Sequence, residues 1–336
     1  MERKARKSSP KRRSQIAAAS IAAGVAGLLL AAWLVYGTAS IDPFRWGLFV
    51  EELVVALCAL AALRLLCVVR LPNWTALVCI SLLPAGIALY GLLADAGDGA
   101  LLGRALCLAA AGVFALLTAR QMDTRPDGVL LAALLFAACV PVLISAGTRP
   151  IDELMRALIM AGMFMSVLAA RQKSVSLAYL ASVAFALAGA GGLYAAFAGA
   201  GAGIGALLLA PKRTRGNWTL AAVLMAALPV AGWFAAGALL SKSAPLFLQN
   251  ALSAGAFALL VRTHLLRALA LGLLLMATRF FFSREDAAAP VILALAGCAC
   301  ARLLPFVSAP DVWMDALPLC ALAGVGVAKT ARGKGR

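Results

Sequence analysis

The chain has 336 residues, of which 64% are hydrophobic and only 13% charged, with a mean hydropathy of +0.96 and a formal charge of +16. A soluble domain has an apolar share nearer one half, so this composition excludes a water-soluble globule and reads as a polytopic membrane protein. The apolar runs are continuous rather than alternating, which excludes a β-barrel and leaves helices, each needing about 20 residues to cross about 30 Å of hydrocarbon.

Residues 1–14 hold seven of the thirty basic residues and read as a cytoplasmic tail. Residues 15–37 follow as an anchor helix, longer than the roughly 7–15 apolar residues of a cleaved secretory signal. From there the expected crossings alternate. Gly47 to Val69 runs inward, Trp74 to Ala94 outward, Ala100 to Ala119 inward, Gly128 to Gly147 outward, Leu154 to Ala170 inward and Val175 to Gly191 outward. Leu193 to Ala210 then runs inward, Trp218 to Leu240 outward, Pro245 to Val261 inward, Leu265 to Phe282 outward, Ala287 to Val307 inward and Trp313 to Ala328 outward.

This path places nineteen basic residues at the inner side and seven at the outer, in keeping with the positive-inside bias. The basic tail 329–336 does not fit it, because thirteen crossings put Lys329, Arg332, Lys334 and Arg336 outside. Twelve crossings are the alternative.

Short identities recur in order along the chain. Asn73-Trp74-Thr75 returns as Asn217-Trp218-Thr219, each followed by a proline within its apolar run (Pro84, Pro229). Ala111 to Leu117 returns at Ala254 to Leu260, and Ala186 to Gly191 at Ala321 to Gly326, each with one residue changed (Val113 to Ala256, Ala190 to Val325). The expected fold class is therefore all-α and polytopic, with 12–13 transmembrane helices. It comprises one anchor helix and two parallel six-helix repeats, residues 47–191 and 192–328, related by an axis along the bilayer normal.

The chemistry available is sparse. Every Asp and Glu lies at an expected helix end or in a loop, away from the midplane where a proton-coupled transporter usually carries its relay. Paired acids (Glu51-Glu52, Asp152-Glu153, Glu285-Asp286) stand at the starts of inward-running segments, where carboxylates favour the helix dipole. Glu51 and Glu52 are the candidates for an external cation or substrate mouth. Arg64, Arg104, Arg156, Arg279 and Arg302 lie near helix ends, where a guanidinium snorkels to headgroup level. If Arg64, Arg104, Arg156 and Arg302 instead face inward, they suit a phosphate-bearing ligand. Asp152 and Arg156 have the spacing of an intrahelical ion pair.

The single histidine, His264, is too far along one helix from Ser253 to share a catalytic hydrogen bond. The two Asn-Trp-Thr motifs match a glycosylation acceptor but sit beside basic loops, so the asparagines read as helix caps and the tryptophans as interfacial anchors. All eight cysteines fall in apolar runs and read as buried small hydrophobes, with no structural disulfide. Gly189, Gly191, Gly199, Gly201, Gly203 and Gly205 suit close helix approach.

The functional expectation is a small integral membrane transporter or flippase-like protein for an amphiphilic or anionic solute, without its own ATPase. A non-catalytic membrane subunit that assembles or positions a partner is the alternative, and a membrane-embedded transferase or polymerase the weaker one. No cofactor or metal spacing is present in the sequence, and no nucleic-acid partner is expected. The expected contacts are anionic lipid headgroups at the basic N-terminal tail and a membrane protein partner. The expected location is the plasma (inner) membrane, with the N-terminus cytoplasmic.

Overall fold

The computed structural model describes residues 71–94, 99–123, 125–146, 150–240, 287–301 and 315–333. Apart from turns, these residues are helical: α1 (Trp74–Ala94), α2 (Ala100–Met122), α3 (Pro126–Ala146), α4 (Pro150–Gln172), α5 (Val175–Gly189), α6 (Tyr194–Leu209), α7 (Arg215–Leu240), α8 (Ala289–Ala301) and α9 (Ala316–Gly333). A short 3-10 turn, Lys212–Thr214, leads into α7. The anchor segment, the crossing expected over 47–69 and those expected over 245–261 and 265–282 lie outside the described residues.

Local chemistry sets several boundaries. Pro126 and Pro150 open α3 and α4, where a missing N–H leaves no bond unmade and the fixed φ suits the first turn. Between α2 and α3 the side chain of Asp123 accepts the Arg125 backbone N–H at 3.2 Å, which turns the chain in two residues. Helix α4 stops at Lys173, in left-handed conformation with φ 54, and the Ser174 N–H returns to the Ala169 carbonyl at 3.0 Å as in a Schellman closure.

Among the described residues, four helical stretches are long and apolar enough to cross a membrane: Trp74–Ala94, Leu101–Met122, Asp152–Gln172 and Lys212–Ala236. Shorter apolar helices accompany them. Helix α4 is the hub of the bundle, touching α2, α5, α6 and α8, while α1 lies at an edge against α2 and α3. Large apolar side chains on α1 point away from the protein, Leu77 at 67% exposure and Leu93 at 77%. A contiguous apolar face of this kind is tolerated only against an apolar surrounding or a partner.

The small residues of α6 explain its place between two neighbours. A Cβ at Gly199 or Gly203 would strike the α7 backbone at Met225 or Ala222. A Cβ at Gly201 or Gly205 would strike the α8 backbone at Leu293 or Ala289. Two glycine pairs four residues apart thus bring two backbones against opposite sides of one helix. Pro229 adds a reason at the α7 face: lacking an N–H, it leaves the Met225 carbonyl without its usual partner, and the Gly199 backbone lies against that oxygen.

The same contacts fix the directions of the helices. Gly201 with Leu293, Gly205 with Ala289 and Gly297 with Phe197 make α8 antiparallel to α6. Phe114 stacks near Phe164, and Arg171 reaches the Gln121 carbonyl, so α2 and α4 run parallel. Tyr194 at the head of α6 meets Asp315 before α9, and Gly128 near the start of α3 meets Val325 late in α9, so α9 runs with α6 and against α3. Helices α2, α4, α6 and α9 therefore share one direction.

Two expectations change here. Alternation through thirteen crossings has α6 and α8 running the same way, and parallel repeats have α4 and α8 doing so. The observed α8 opposes both α6 and α4, while residues 241–286, where two further crossings are expected, lie outside the described residues. The end of α9 then falls at the same end of the bundle as Arg120, Arg171 and Lys212. The second change concerns the motif copies. Asn217 is the third residue of α7 rather than its cap, and Trp218 is 1% exposed, a core residue rather than an interfacial anchor, whereas Trp74 is 62% exposed.

Candidate functional site

The four co-directional helices begin at one end of the bundle, opposite the basic end that carries Arg120, Arg125, Arg171, Lys212 and Arg213. At that end lie Arg104 (α2), Asp152, Glu153 and Arg156 (α4), and, as a separate contact, Tyr194 (α6) with Asp315 (just before α9). Each helix start carries the equivalent of about half a positive charge, so carboxylates in or before the first turns of α4 and α9 are placed where that field favours them.

Glu153 and Arg156 form an ion pair of 2.5 Å across one turn of α4, with side chains only 2% and 4% exposed. Charges this enclosed need a partner, because each costs several kcal/mol to desolvate alone. Arg104, on the parallel helix α2, is close enough to act on Glu153 through its charge, as is Asp152. Arg156 thus pairs with Glu153, three residues before it, a spacing the sequence reading did not single out. The Arg156 Nε–H is buried without a hydrogen-bond partner among the described residues, and a buried orphan donor of this type costs about 1–3 kcal/mol.

A second polar contact closes the same end. The Tyr194 hydroxyl donates to the Asp315 carboxylate, with both residues buried. The sequence reading passed over Tyr194 and Asp315 because neither belongs to a pair or a motif. Their one signal was position, a tyrosine and an acid each opening an apolar run after a turn.

Of the residues expected to bind a substrate, Arg104 and Arg156 both act on Glu153 through their charge. Arg64, Glu51 and Glu52 lie outside the described residues, as do His264, Ser253, Arg279 and the Glu285-Asp286 pair. Arg302 does too. Among the described residues no group of three or more His, Cys, Asp and Glu side chains could hold a metal ion. The six described cysteines are free thiols.

No protein-family model matches this chain, and neither curated proteins nor solved structures include a match to it.

Proposed function

We propose that this chain is an integral membrane transporter or flippase-like protein that takes the anionic headgroup of an amphiphile at the end where α2, α4, α6 and α9 begin. The observation that carries this reading is the buried Glu153–Arg156 pair, with Arg104 near enough to act on Glu153 through its charge. Glu153 holds the place of the ligand anion. A phosphate or carboxylate entering there exchanges with it, gains the unused Nε–H of Arg156 in a two-pronged contact, and faces Arg104 and the positive helix starts.

In this reading the basic end is cytoplasmic by the positive-inside rule, the ionic end faces outward, and the location is the plasma membrane. With the N-terminus inside and α9 running inward, the number of crossings is even, which favours twelve. The basic N-terminal tail holds anionic headgroups of the inner leaflet. No part of the described chain supplies an ATPase, so the driving force is a gradient or the lipid itself.

The test is translocation of a fluorescent anionic phospholipid in vesicles reconstituted with the full-length protein. The wild type is expected to speed it at least tenfold over empty vesicles, and the double variant Glu153→Gln with Arg156→Gln, which strands neither charge, to abolish the gain while retaining the fold. Absence of translocation by folded wild type under every imposed gradient overturns the reading. The alternative, a membrane subunit that positions a partner, is favoured by the uncovered apolar face of α1, including Leu77, Leu82 and Leu93. That role predicts a stoichiometric membrane partner lost on Leu82→Ala or Leu93→Ala.

A further inference from the structure

Cys139 on α3 and Cys320 on α9 belong to the same packed cluster and lie close enough for the two thiols to act on each other. Backbone packing sets this proximity. Helix α9 lies antiparallel on α3, with Gly324 against the Ala132 backbone and Gly128 against Val325, and the two cysteines form the next rung toward the ionic end. Cys320 is buried and Cys139 half-buried, so the pair is reached from one side only. Both thiols belong to apolar helices, a setting that favours an oxidant partitioning into an apolar phase.

We infer that Cys139 and Cys320 are a redox pair that closes to a disulfide and clamps α9 to α3, with a lipid-soluble quinone as the oxidant. The two thiols give up two protons and two electrons as the Sγ–Sγ bond forms, and the quinone takes up both to become the hydroquinone. A dithiol reverses the step by exchange. The clamp lies one turn and a half into α9, five residues after Asp315, and so fixes the helix start that holds the Tyr194 contact. The pair is independent of the anion reading, since neither thiol belongs to the ionic cluster.

The experiment uses the full-length wild type in vesicles, treated with a short-chain quinone, then alkylated and digested for mass spectrometry without reduction. The expected result is a peptide pair joined through Cys139 and Cys320, two hydrogens lighter than its parts. Alkylation of both cysteines should fall at least tenfold and return after dithiol treatment, while Cys79 and Cys107 keep their alkylation. Cys139→Ser and Cys320→Ser should each remove the link. Undiminished alkylation of both cysteines in the folded protein, under oxidation that links them in the detergent-unfolded chain, overturns the inference. So does a link from Cys320 to any cysteine other than Cys139.

Discussion

The hydroxyl of Tyr194 donates to the carboxylate of Asp315, joining the first residue of α6 to the residue before α9. Both groups are buried, so the bond fastens two elements that are far apart in the chain and sets the direction of α9 relative to α6. Tyr194→Phe removes the donor and keeps the ring. Hydrogen bonds to a charged group contribute about 1.5–3 kcal/mol, and a loss of that size is expected in reversible unfolding in mixed micelles. An unchanged midpoint would mean that the contact holds nothing.

The Glu153–Arg156 pair makes a sharper prediction through a double-mutant cycle. Glu153→Met and Arg156→Met each strand the other charge in a buried site, at a cost of about 3–5 kcal/mol. The double variant strands neither and is expected to recover most of that loss. Additive losses measured in the same unfolding assay would show that the two side chains do not act on each other.

Close backbone approach at α6 is tested by comparing two glycines. Gly201→Ala puts a methyl group into the Leu293 carbonyl of α8, and overpacking of this kind costs about 1–3 kcal/mol. At Gly103, on α2, a Cβ meets nothing within 4 Å. Gly103→Ala is therefore expected to be neutral or to stabilise by up to about 1 kcal/mol through helix propensity. Thermal unfolding of the two variants side by side checks the order.

The uncovered face of α1 separates a bilayer from water as the surrounding medium. Leu82 is 66% exposed near the middle of α1. In water, an exposed Leu→Arg change stays within about 0.5 kcal/mol, whereas at the centre of a spanning helix Arg costs about 2.5–3.5 kcal/mol to insert. The expected outcome for Leu82→Arg is a severalfold drop in the membrane-integrated fraction that resists alkaline extraction. Equal integration with the wild type would contradict a lipid-facing α1.

Helix positions were largely legible in the sequence because run length and polar interruption are local. Trp74 to Ala94 was read with both boundaries as observed, and Val175 and Leu240 were placed correctly at one end each. Direction was not legible beyond α7, since it depends on counting every passage, and one error in the count inverts everything after it. The two Asn-Trp-Thr motifs show a second limit. Trp74 lies on an edge helix and Trp218 on one packed against α5 and α6, so the same tripeptide is exposed in one place and buried in the other.

The candidate site divides along the same line. That Arg104 and Arg156 belong near helix ends was readable, but their joint action on Glu153 needs α2 and α4 to be parallel neighbours. The choice of Glu153 over Asp152 as the ion-pair partner is set by which side of α4 faces α2. Spacing alone permits both.

The most direct test of this arrangement is sidedness. Cysteines introduced at Lys212, in the turn before α7, at Arg332, in the last turn of α9, and at Ala190, in the turn after α5, are probed in sealed vesicles with a membrane-impermeant thiol reagent. Positions 212 and 332 are expected to react from one face and position 190 from the other. Reaction of 332 together with 190, on the face opposite 212, would contradict the shared direction of α2, α4, α6 and α9 on which the ionic cluster depends.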